Sequence, residues 1–77
     1  MMHAADLTSP RLQRVLTLLR DGQAHTTRDI VRRARVMAVN ACISELRHHG
    51  AEIECFARLI NGRRRFYYRM TREPNVG

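Results

Sequence analysis

The chain contains no lysine and no tryptophan, and among its 77 residues it has two cysteines, two prolines, four glycines and only four Phe or Tyr. Each scarcity excludes something. Cys42 and Cys55 have neither the number nor the spacing of a disulfide framework or a zinc motif, so both read as small buried residues of a reducing compartment. His48 and His49 bring the potential ligands to four, but no pair sits on one rigid element at a spacing that the other pair completes, and no metal is expected. Long hydrophobic runs are missing too: nothing approaches the ~20 apolar residues of a membrane span. The opening "MMHAADLTSP" carries Asp6 and no apolar block, which is unlike a secretion signal. The expected location is cytoplasmic, with no membrane partner.

Acids are scarce as well, seven against fourteen basic residues. No acid pair, activated nucleophile or phosphate-cradling glycine loop occurs at a usable spacing, and His25, His48 and His49 have no evident orienting group. An enzyme is therefore not expected, nor is any cofactor. At this length only roughly 60% of the unfolded chain's surface can be buried, which suits one compact domain rather than a large enclosed active site.

What is abundant is arginine. All fourteen basic residues are arginine, giving a formal charge of +7. Arg58, Arg63, Arg64, Arg65, Arg69 and Arg72 fall between Cys55 and Arg72 with no acid among them. Codon usage in a GC-rich genome explains arginine over lysine but not this clustering. Arginine's planar fork of donors suits phosphate and guanine edges, so nucleic acid is the leading partner.

The pattern of apolar residues divides the chain into a flexible start (1–8), a folded body (9–70) and a flexible tail (71–77, ending in "TREPNVG"). In "SPRLQRVLTLLRDG", Ser9 can cap a helix and Pro10 can take its first position. Leu12, Val15, Leu16 and Leu19 form one stripe, and Gly22 closes the element. A second, short helix starts at Thr26 or Thr27, with Asp29 in its first turn and Ile30, Val31 and Ala34 inward. "RV" (Arg35, Val36) interrupts, and a third helix runs from Met37 to His49 before Gly50, with Val39, Ile43 and Leu46 inward and Cys42 on the flank.

From Glu52 the period shortens to two. Asn61-Gly62 is the preferred centre of a type I′ turn, so the two runs pair as a hairpin in fixed register. Ile53 then faces Met70, Cys55 faces Tyr68 and Ala57 faces Phe66, six side chains on the side expected to close the core. On the other side Glu54 faces Arg69, Phe56 faces Tyr67 and Arg58 faces Arg65. That last pairing of like charges is unfavourable in isolation, and a polyanion would relieve it.

Helix, short helix, turn, longer helix, glycine and hairpin, carried by "TTRDIV", the break at "ARV", "VNACISELRHHGAEI" and "YYRM", resembles the winged helix-turn-helix DNA-binding family, including the small phage and prophage helix-turn-helix proteins. The resemblance covers about residues 10–70 and implies an α+β fold: three helices followed by a two-stranded antiparallel β-hairpin wing. Where the family often has a glycine and a Ser or Thr cap, this chain has Arg35, Val36 and Met37. The resemblance further implies that the third helix lies in the major groove, with Ala38, Asn40, Ala41, Ser44 and Arg47 facing the bases. Asn40 would read adenine, Arg47 guanine or phosphate, and the two alanines a thymine methyl. Thr27, Arg28, Arg35, Arg58, Arg63, Arg64 and Arg65 would meet the backbone. If some five arginines do so, binding should fall with salt at a log–log slope of about −4.5.

The expected function is sequence-specific double-stranded DNA binding as a transcriptional regulator associated with the nucleoid, acting as a homodimer or by cooperative binding on repeated half-sites because one small module covers only ~600–1,000 Å². Two rivals stand beside it. One is an excisionase-like factor that bends DNA. The other is a protein-binding or inhibitor module, such as a phage protein acting on a host complex, suggested by the apolar outer residues Met37, Ala38 and Ala41, with Leu18 elsewhere.

Overall fold

The computed structural model describes residues 7–75. The expected flexible start falls largely outside them, as do the last two residues of the tail. Helix α1 is Pro10–Leu19, and its stripe Leu12, Val15, Leu16 and Leu19 is buried as its spacing requires. Ser9 stands at the N-cap position but its hydroxyl makes no capping bond. Strand β1, His25–Thr26, leads directly into helix α2, Thr27–Ala34. Here Thr26 rather than Thr27 is the cap. Its hydroxyl accepts from the Asp29 amide at 3.0 Å while Asp29 Oδ2 accepts from the Thr26 amide at 3.4 Å, the reciprocal arrangement that satisfies two orphan donors at once.

Helix α3 spans Val39–His48, two residues later than the expected start at Met37. The reason lies in the preceding turn. Arg35 ends α2 in the left-handed conformation (φ 55°, ψ 48°), and Ala38, at the N-cap, is non-helical with no side-chain cap. Arginine at a left-handed position costs about 1–2 kcal/mol relative to right-handed backbone. Arg14 on α1 stabilises the turn, donating from Nε to the Ala34 carbonyl at 2.8 Å and from Nη2 to the Arg35 carbonyl at 3.3 Å. Val36 plugs the turn into the core. Val39, Cys42, Ile43 and Leu46 then present the buried face of α3, as their periodicity predicts.

Strands β2 (Glu52–Ile60) and β3 (Arg63–Arg72) form the hairpin. Asn61 (φ 52°) and Gly62 (φ 77°) take the positive angles of the type I′ turn, and the register is the one read from the turn: Ile53–Met70, Glu54–Arg69, Cys55–Tyr68, Phe56–Tyr67, Ala57–Phe66 and Arg58–Arg65. The sheet, however, has three antiparallel strands rather than two. β1 adds to the free side of β3, His25 opposite Tyr68 and Thr26 opposite Tyr67, giving the order β1-β3-β2. A two-residue strand carries no periodicity by which to be read. The architecture is a small α+β domain of three helices and this sheet.

The inward face of the hairpin also departs from expectation. Ile53, Tyr68 and Met70 are buried against the helices, but Cys55 and Ala57 are exposed and Phe66 is 50% exposed. Length explains this. Nine or ten strand residues reach about 30 Å, whereas the ten residues of α3 cover about 15 Å, so the outer half of the hairpin overhangs the helices. The molecule is correspondingly elongated, 42 Å by 24 Å by 22 Å.

At the other end, Thr71 and Arg72, expected to belong to the tail, continue β3. Pro74 is buried, and the Asn75 amide donates to the His49 carbonyl at 2.8 Å. Gly50 makes this docking feasible. Its φ is +98°, and a Cβ there would stand 2.6 Å from Asn75 Nδ2.

Candidate nucleic-acid interface

Three elements converge on a cleft of about 290 Å³ lined by Thr26, Thr27, Arg28, Arg63, Arg64, Arg65 and Phe66. β1 and the capping box set the N-terminus of α2 at one wall, and the type I′ turn sets the wing arginines at the other. The backbone N–H groups and dipole at a helix N-terminus favour an anion. Among the described residues no acid lines the cleft, and no ion pair joins Arg28, Arg58, Arg63, Arg64 or Arg65 to a carboxylate. Nearer the base of the hairpin the arginines are paired: Arg69 Nη2 lies 2.9 Å from Glu54 Oε2, and Arg72 Nη1 lies 3.9 Å from Glu52 Oε1.

Arg58 and Arg65 are directly opposite, as expected. The repulsion is moderated by where Arg58 goes. Its guanidinium lies 5.2 Å from the Phe56 ring centroid and 5.4 Å from that of Tyr67, over two rings that stack at 5.7 Å and 12°. Phe56 and Tyr67 thus form a surface pair that holds a cation.

On α3, Ala38, Asn40, Ala41, Ser44 and Arg47 are all exposed, on the side away from the core. Two of them are also tied to the sheet. Asn40 Oδ1 accepts from the Tyr68 hydroxyl at 2.8 Å, and Arg47 Nη2 donates to the Ile53 carbonyl at 2.6 Å. Burial pushes the Tyr68 phenol above its usual pKa. Asn40 retains its amide donors and Arg47 its other N–H groups. Arg35, expected at the backbone, lines a different hollow of about 400 Å³ together with Arg11, Arg14, Val36, Met37, Ala38, Ala41 and Cys42. That places Arg35 apart from the wing cleft. Met37, 92% exposed, stands on the rim of the same hollow.

Compared with known proteins, the chain matches no family model, no curated protein and no solved structure at a significant level.

Several contributors to this arrangement carry no legible signal in the sequence. Arg14, on the exposed side of α1, also clamps the turn between α2 and α3. Phe66, expected inward, lines the wing cleft. Arg11 bridges α1 to α3, its Nη2 2.8 Å from Glu45 Oε2 and its Nη1 3.3 Å from Cys42 Sγ. The hydrogen bond that Arg11 donates to Glu45, and then the one it donates to Cys42, raise the guanidinium pKa further above its already high value. Among the described residues no cluster of His, Cys, Asp or Glu could hold a metal ion, both cysteines are free, and no helix is long and apolar enough to cross a membrane.

Proposed function

We propose that the protein binds double-stranded DNA sequence-specifically as a winged helix-turn-helix regulator, with α3 in the major groove and the wing on the phosphate backbone. The observation that carries this reading is the acid-free cleft in which Arg63, Arg64 and Arg65 face the N-terminus of α2. Two sources of positive potential built by distant parts of the sequence suit a phosphate placed between them. The exposed face of α3 supplies the reading surface: Ala38 and Ala41 for thymine methyls, Asn40 and Ser44 for base edges, and Arg47 for guanine or phosphate. Because Tyr68 and the Ile53 carbonyl orient Asn40 and Arg47, these two would enter the groove with little freedom left to lose.

Selection of bound sequences from a random duplex pool tests the reading. It expects a defined consensus that changes with Asn40→Ala or Ser44→Ala. Recovery of unrelated sequences, unaffected by these changes, overturns it.

A second reading, a protein-binding module, is favoured by the 400 Å³ hollow beside Met37. If that hollow is the functional surface, capture of a partner from lysate survives nuclease treatment and is abolished by Met37→Glu, while Arg64→Ala has no effect.

A further inference from the structure

β2 is the outer strand of the sheet, and it is long, nine residues from Glu52 to Ile60. Such an edge invites pairing unless it is blunted. Which backbone groups point outward follows from the turn. In a hairpin closed by two residues, the flanking pair Ile60–Arg63 exchanges both of its backbone bonds, and the pairs alternate from there. Phe56 and Arg58 therefore direct their backbone groups toward β3, while Ile53, Cys55, Ala57 and Leu59 direct theirs away from it. The bond from Arg47 to the Ile53 carbonyl agrees with this alternation, since the guanidinium reaches that oxygen from outside the ladder.

The side chains of the same strand are self-complementary. Written out, β2 is "EIECFARLI". Turned about a two-fold axis through Phe56, it sets Glu54 opposite Arg58 of the second copy, twice. The same operation sets Cys55 opposite Ala57 and Ile53 opposite Leu59, which is 75% exposed in the single chain. The outward backbone groups also match in this arrangement, since Cys55 and Ala57 of each copy would exchange a full pair of hydrogen bonds. The flanking Leu59 amide would share the Ile53 carbonyl with Arg47. The two Glu54–Arg58 pairs flank a Phe56–Phe56 pair on one face, while the Cys55–Ala57 and Ile53–Leu59 pairs fall on the other.

We infer that the partner of the β2 edge is a second copy of this chain, paired antiparallel about Phe56 into a six-stranded sheet. The overhang of the hairpin gives this a packing rationale. The antiparallel arrangement brings the exposed Leu59 of one copy beside the base of the other hairpin, where Ile53 is buried against the helices. The inference does not rest on DNA binding and is tested without DNA.

Sedimentation equilibrium of the full chain is expected to give twice the 9.0 kDa chain mass. Arg58→Glu alone and Glu54→Arg alone each set like charges opposite one another twice and should raise the dimer dissociation constant at least tenfold. The double exchange, Glu54→Arg with Arg58→Glu, restores opposite signs and should restore the dimer. Wild-type chain that stays monomeric overturns the proposal and leaves the edge to a strand of another protein. So do single variants that dimerise like wild type, or a double variant that remains monomeric while its circular dichroism is native. A second measurement reads the register. Phe56→Cys in a Cys55→Ser background lies on the axis and should form a disulfide-linked dimer on mild oxidation, whereas Tyr67→Cys, one strand inward, should not. Equal linkage of the two sinks the Phe56 register.

Discussion

Arg35 shows how a single residue can set an element boundary against its own preference. The sequence indicated a break at "ARV" and a missing glycine, but not how an arginine would be held in left-handed backbone. The answer is Arg14, twenty-one positions earlier, which occupies the last carbonyls of α2. A side chain reaching from another helix leaves no local trace, so its role was illegible. Arg35→Gly should relieve the strain at the price of added freedom in the unfolded chain, a net gain of about 0.5–1 kcal/mol readable as a higher urea midpoint at unchanged slope. Arg14→Ala, which strips both carbonyls of their partner, should lose about 1–2 kcal/mol by the same measurement. At Tyr68 the register did predict burial, but not the hydroxyl's bond to Asn40. Tyr68→Phe should therefore cost about 1 kcal/mol and leave the Asn40 amide unoriented.

Among the elements, the hairpin was the most legible, because Asn61-Gly62 admits one turn type and that turn admits one register. Its burial was not legible: alternation says which side chains share a face but not how far the helices beneath it extend. β1 was lost for the opposite reason, two residues being too few to show a period. The wing carries a quantitative prediction. Each phosphate contact contributes about 0.9 to the salt slope, so replacing Arg63, Arg64 and Arg65 together with alanine should flatten it by about 2.7 and weaken binding to all sequences alike. Titrations of labelled duplex at several salt concentrations check this, and an unchanged slope would remove the wing from the interface. Folding should be unaffected, since among the described residues these arginines pair with no acid.

At the scale of the whole molecule, the loop that follows α1 is joined to β1 by a polar contact that ties stability to pH. Asp21 accepts from the Gln23 amide at 2.8 Å and meets buried His25 Nε2 at 2.9 Å. The Gln23 bond, with smaller contributions from His25 and Arg33, holds the Asp21 carboxyl below its ordinary value despite partial desolvation. A depressed folded value means that this stabilisation is complete above the unfolded pKa of about 3.9 and is lost as pH falls through the folded value. Urea unfolding of Asp21→Asn should accordingly show a shallower loss of stability below about pH 4 than wild type. Equal slopes for the two proteins would place the acid sensitivity elsewhere.

The overhang of the hairpin also divides one ladder into two regimes of motion. Near the base, Ile53, Tyr68 and Met70 open only when the core does, because their side chains are part of it. Beyond Ala57 and Phe66 the strands are exposed, facing the N-terminus of α2 only across the open cleft, and can fray while the body stays folded. Amide hydrogen exchange should resolve the boundary within single strands. Amides of residues 57–66 should exchange at a rate insensitive to low denaturant, and those of Ile53 and Met70 at the rate of global unfolding. A ligand or second copy seated on the outer half would then register first as slowed exchange there, before any change in the core.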